Sequence, residues 1–172
     1  MTIQRPDQSE YAPFYAGYVS QVPEGDVIAL LEQQIADTVH LLAEIGEARA
    51  AHRYAPGKWS IKQIVGHLSD SERVFSYRAL RIARNDATPL AAFDENAWMP
   101  HANCDARSLT DLLDELQAVR RSTLALYRSF TPEMAARRGT ASQNTISVRA
   151  LVYITAGHER HHRRMLEERY LK

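Results

Sequence analysis

Only one cysteine, Cys104, occurs in the sequence, so no disulfide within the chain can staple the fold. Neither sign of charge is in excess, with 21 basic against 21 acidic side chains over 172 residues. So even a balance leaves no basic footprint with which to neutralise nucleic-acid phosphates. No apolar run approaches the length needed to cross a bilayer. Residues 1–21 hold Arg5, Pro6, Asp7 and Glu10 and lack the apolar centre of a signal peptide. Internal repeats and low-complexity tracts are missing too. These absences give the expectation of a soluble cytoplasmic protein without nucleic-acid or membrane partners, its lone thiol suited to a reducing compartment.

What is present is helical periodicity. The length fits one domain with a sizeable core, here residues 1–172 with an N-terminal arm over 1–23. Tyr11, Phe14, Tyr15 and Tyr18 make that arm too rich in rings for a disordered tail, and suit it to packing on the body or across a dimer partner. Asp26 opens a first helix with the stripe Val27, Leu31, Ile35, Thr38, Leu42 and Ile45, ending near Gly46. His40 falls on its opposite face. Ser60 and Gln63 form a capping box for a second helix, about 60–84, whose stripe is Ile61, Ile64, Val65, Leu68, Phe75, Ala79 and Ile82.

Residues 85–107 show no helical period. A connection this long crosses a fold or carries function. Phe93 and Trp98 could cover a site with apolar surface, and Asp94 and Glu95 with polar groups. Ser108 caps a third helix with the stripe Leu109, Leu112, Leu116, Val119, Thr123, Tyr127 and Phe130. Thr131-Pro132-Glu133 reads as a short extra helix, 139–145 as a polar loop, and Ser147 as the start of a last helix running to about Tyr170. The expected fold is an all-α four-helix bundle. Its order is up-down-down-up, because the long crossover lets the second and third helices run parallel.

The chemistry gathers at Gly157-His158-Glu159-Arg160-His161-His162. Four residues apart on a helix, His158 and His162 project from one face. That face is shared with Val148, Leu151, Ile154, Thr155, Met165 and Leu166, so the pair points inward. Buried imidazoles need partners, since an unpaired polar group costs roughly 1–3 kcal/mol. A bound cation or a hydrogen-bond network would each supply them. Glu72 also lies inside an apolar stripe, either as the ion-pair partner of an arginine on a neighbouring helix or as a base or hydrogen-bond acceptor beside a metal.

Tyr54-Ala55-Pro56-Gly57-Lys58-Trp59-Ser60, His67 on the second helix, Tyr77 to Arg84, Phe93-Asp94-Glu95 and the His158-x-x-x-His162 pair together resemble the DinB-like superfamily, over about residues 24–171. The resemblance implies a four-helix bundle holding a divalent cation between the second and fourth helices, with His67, His158 and His162 as ligands. Three imidazoles leave a coordination position for water and suit a transition metal, zinc or nickel foremost. The resemblance further implies a metal-dependent hydrolase, or a transferase using a low-molecular-weight thiol, acting on a small molecule as a homodimer. Arg73, Arg78 and Arg81 are candidates to hold the polar tail of such a thiol. The alternative is a non-catalytic dimeric stress-response or binding protein whose metal is structural.

Overall fold

A computed structural model describes residues 3–171. Four long helices carry the fold: α1 (Val27–Ile45), α2 (Ile61–Ala83), α3 (Leu109–Arg128) and α4 (Val148–Met165). Each begins where a side chain takes up orphan backbone N–H groups. Asp26 accepts from Ile28 and Ala29, Ser108 from Asp111, and Ser147 from Ala150. At α2 the capping box is complete, since Ser60 accepts from the Gln63 amide while Gln63 reaches back to the Ser60 amide. Gly46, at φ 70, ends α1 in a conformation that costs glycine little.

Helices α1 and α2 lie diagonally, each packed against both α3 and α4. Ser60 at the start of α2 meets Asp105 just before α3, so these two run parallel. Tyr170 beyond α4 donates to the Trp59 carbonyl just before α2, so those run antiparallel. The order is up-down-down-up.

The apolar core is divided. One cluster holds Leu31, Phe75, Leu124 and Ala156, and the other holds Leu42, Leu68, Leu116 and Leu166. Between them, each helix contributes polar residues at about the same height: Gln34 and Thr38, Glu72, Arg120, and Glu159. All five are buried. Arg120 donates to Glu72 through Nε and Nη2 at 2.8 and 2.7 Å, to Glu159 at 2.9 Å and to the Leu31 carbonyl at 2.8 Å. Thr38 and Gln34 donate to the two oxygens of Glu159 at 2.7 and 3.0 Å.

The arm packs along α4 of its own chain. Arg149 holds Glu10 through both carboxylate oxygens, Arg160 donates to the Gln21 carbonyl, and the Tyr153 hydroxyl donates to the Ile3 carbonyl. The short helix Ala16–Val19 lies against Gly157, where a Cβ would come within 2.1 Å of the Tyr18 carbonyl oxygen.

One element departs from the sequence expectation. The polar loop after the short helix Pro132–Ala136 is a hairpin, β1 (Arg138–Ala141) paired antiparallel with β2 (Asn144–Ser147). Its turn residues Ser142 and Gln143 adopt φ 51 and 64 without the Asn-Gly or Asp-Gly signal that usually marks such a turn. Strands of four residues also show too little alternation to read. The crossover is tied to this hairpin: Leu90 donates to the Thr140 carbonyl at 2.9 Å and accepts from the Ser142 amide at 3.0 Å. Beyond it, Asp94 caps a single helical turn, Glu95–Trp98.

Candidate metal centre

His67 sits in the second turn of α2 and His158 and His162 in the second half of α4, so three buried imidazoles meet between two antiparallel helices. The Nε2 atoms converge, His67 to His158 at 2.9 Å and His162 to His158 at 3.1 Å. Aromatic rings fix the imidazoles from outside. Trp59 packs on His67 with centroids 4.8 Å apart, and Tyr18 and Phe75 meet His158 edge-on at 5.3 and 5.6 Å.

Hydrogen bonding alone serves three convergent nitrogens poorly. A neutral imidazole nitrogen is either a donor or an acceptor, and His158 Nε2 faces two neighbours at once. The Nδ1 of His162 is buried without a partner among the described residues, while the Ser71 hydroxyl stands 3.4 Å from His67 Nδ1. A cation at the convergence point would use all three lone pairs. Zinc–nitrogen bonds near 2.0–2.1 Å in a tetrahedral site set the nitrogens about 3.3 Å apart, close to the spacing found here. The donor set therefore fits a transition metal.

Burial pushes all three histidines toward the neutral form that a metal requires. It depresses His67 to about 4, with a smaller push from His161. It holds His158 and His162 well below the ordinary imidazole value, helped by the neighbouring imidazoles. For the metal-free protein the sign follows directly. The unfolded chain takes up protons near pH 6.5 while the folded one resists to about 4, so this stability is present above 6.5 and lost as pH falls. Urea melts of chelated protein are expected to lose about 2 kcal/mol from His67 alone between pH 7 and 5, a contribution that His67→Asn removes. A flat profile over that interval would contradict the buried neutral imidazoles.

Two cavities flank the triad. His67 and His158 line one of about 430 Å³, walled by Phe14, Tyr15 and Tyr18 of the arm, Phe75 of α2, and Phe93 and Glu95 of the crossover. His162 lines the other, of about 270 Å³, with Tyr54, Trp59, Asn96, Met165 and Tyr170. The turn Glu95–Trp98 stands between them, one side chain to each.

The remaining candidates lie elsewhere. Both oxygens of Glu72 receive Arg120, and Glu72 does not line either cavity. Glu159 of the His-Glu-Arg-His-His run faces the same arginine rather than the triad. His40 is exposed beside Glu44. Arg73 and Arg81 are engaged by Glu115 and Asp86 on the outer side of α2, whereas Arg78 is buried. Arg120 was readable in principle: it follows Leu116 by four, a cation inside an apolar stripe just as Glu72 is an anion inside one.

Comparisons with known proteins agree with this arrangement. The chain is 28% identical over 153 residues to putative metal-dependent hydrolase OB0413 of Oceanobacillus iheyensis, covering 83% of this chain and 86% of the relative. Its fold is like that of YfiT from Bacillus subtilis, described as a probable metal-dependent hydrolase with an unusual four-helix bundle topology. The TM-score is 0.72 at 22% identity, over 91% of this chain and 94% of that one. A mycothiol-dependent maleylpyruvate isomerase shares the fold with a TM-score of 0.68 at 10% identity, over 84% of this chain and 60% of that one. The model of the DinB superfamily matches residues 30–166, a span that runs from α1 through both histidine-bearing helices to the end of the bundle. With its helix order and inward-facing histidines, the chain belongs to the DinB superfamily.

Proposed function

We propose that this protein binds one divalent transition metal, zinc or nickel foremost, through His67, His158 and His162, and uses it to hydrolyse a small-molecule substrate. The observation that carries this reading is the convergence of three neutral imidazole nitrogens, two of whose rings, His67 and His158, line a cavity large enough for a substrate. When bound, the metal would act as a Lewis acid that polarises the bond to be broken and lowers the pKa of water. The protein's own part is to hold the imidazoles neutral and convergent and to line the approach with rings that exclude bulk water. The relatives' names support hydrolysis. The fold shared with a mycothiol-dependent isomerase favours a second reading, transfer or isomerisation with a small thiol, in which a metal held by His67, His158 and His162 would supply Lewis acidity to the thiol. Cytoplasmic residence and a homodimer complete the proposal, with Phe14, Tyr77 and Trp98 as large apolar side chains left exposed among the described residues.

Metal content by mass spectrometry on untagged protein tests this. Close to one transition metal per chain is expected, lost from His67→Ala and His158→Ala while both variants keep the helical circular-dichroism spectrum. Wild-type protein that is metal-free and cannot be loaded would end the proposal.

A further inference from the structure

The larger cavity has a lopsided chemistry. Five of its walls are aromatic, and their rings form a nearly continuous chain. Phe14 meets Tyr15 at 4.0 Å, Tyr15 meets Phe75 at 6.4 Å, Phe75 meets Phe93 at 6.5 Å, and Tyr18 meets Tyr15 at 6.4 Å. The charged side chain among the linings is Glu95, half-buried, with no cation within 4 Å and no hydrogen bond to its carboxylate among the described residues. No lysine or arginine lines the cavity. Burial raises Tyr15 and Tyr18; Arg78 pulls Tyr15 back down, and Glu95 raises both, more weakly than Arg78 acts at Tyr15. Glu95 holds its place because Asp94 caps the turn that begins with it, accepting from the Asn96 and Ala97 amides at 2.9 and 3.1 Å.

Aromatic faces attract cations through their quadrupoles, and a cage of several rings is how proteins recognise ammonium groups. A carboxylate at the edge of such a cage supplies the counter-charge. We propose that this cavity receives an ammonium group of the substrate, held by the rings of the arm and the crossover and paired with Glu95. This rests on the proposed function in one respect: the cavity is taken as the approach to His67 and His158, so the substrate is an amine-bearing molecule whose reacting end lies toward the triad.

The competing chemistry is a carboxylate held by Arg78. That guanidinium is 2% exposed and lies outside the lining. It stands 5.5 Å from the centroid of the Phe93 ring, and its Nη2 is committed to the Ala91 carbonyl and the Ser142 hydroxyl at 2.6 and 2.9 Å. It ties the crossover to the hairpin.

The test compares three probes of one shape and different charge, benzyltrimethylammonium, benzyl alcohol and phenylacetate, by calorimetric titration of metal-loaded and chelated protein. The quaternary nitrogen has no lone pair, so the cationic probe cannot bind a metal. It is expected to bind about tenfold more tightly than benzyl alcohol, in chelated protein as well. Glu95→Gln should reduce that preference to about threefold or less, and Phe14→Ala should weaken the cation several-fold. Phe14 is exposed and Glu95 half-buried, so neither substitution removes a core side chain. Equal binding of the three probes, preference for phenylacetate, no saturable binding at millimolar concentration, or a preference untouched by Glu95→Gln would each overturn the proposal. The two readings separate cleanly. A cation preference retained in metal-free His158→Ala would support the cavity even if the metal reading fell, and a full metal complement with no preference would remove this proposal alone.

Discussion

Replacing Arg120 by Met is expected to cost about 3–5 kcal/mol, the range for stranding a buried charge, and to lower Tm by about 10–15 °C in a chain of this size. Burial opposes the charge on Arg120, but attraction to Glu159 and Glu72 and the hydrogen bonds it donates to both hold it protonated far above the ordinary range. Once the guanidinium is gone, two carboxylates that are 4% and 2% exposed share the middle of the bundle without a counter-ion. Thr38 and Gln34 still donate to Glu159, and Glu72 is left with none of these partners. Adding Glu72→Gln and Glu159→Gln to Arg120→Met should restore most of the loss, because the uncompensated charge and not the missing volume is the cost. Thermal melts of the single and triple variants decide this. A single variant within about 1 kcal/mol of wild type would mean that the carboxylates are protonated or reach water.

Gly157→Ala carries the second large effect. Within a helix this substitution ordinarily gains about 1 kcal/mol. Here the new methyl would lie 2.1 Å from the Tyr18 carbonyl oxygen and 2.4 Å from its carbon. Backbone on both sides cannot turn aside as a side chain can, so the helix Ala16–Val19 must lift from α4. Overpacking costs roughly 1–3 kcal/mol, and the arm surrenders the burial of Tyr15 and Val19 as well. We expect a net loss of about 3 kcal/mol and rapid chymotrypsin cleavage at Phe14, Tyr15 or Tyr18 while the bundle stays folded. Metal content should persist, since the triad belongs to α2 and α4, whereas probe affinity in the arm-walled cavity should fall. An arm as resistant as that of wild type would refute the close contact.

Much of this was legible because it depends on period and spacing. Stripes, caps and the reach of four residues from His158 to His162 are local properties of a helix. The spacing made His158 and His162 candidates, and the family resemblance added His67 as the third. Pairings between distant helices were not legible. Glu72 was visible as a buried acid, but choosing between an ion pair and a place beside a metal required knowing that Arg120 stands at the same height on a parallel helix. The hairpin escaped because its pairing is with itself and with Leu90, over strands too short to alternate. Glu95 could be read as a polar group on a covering loop. That it faces an aromatic cavity follows from the arm folding back, which no local pattern specifies.

The docking of residues 3–19 on α4 also sets an order of events during synthesis. The arm leaves the ribosome well before the helix it rests on, which begins at Val148, a delay of roughly ten seconds at ordinary elongation rates. Through that interval Tyr15, Val19 and the other arm residues lack the α4 face that covers them, and His67 waits for both of its companions. The cavity wall and the histidine cluster are therefore completed by one late step, the arrival of α4.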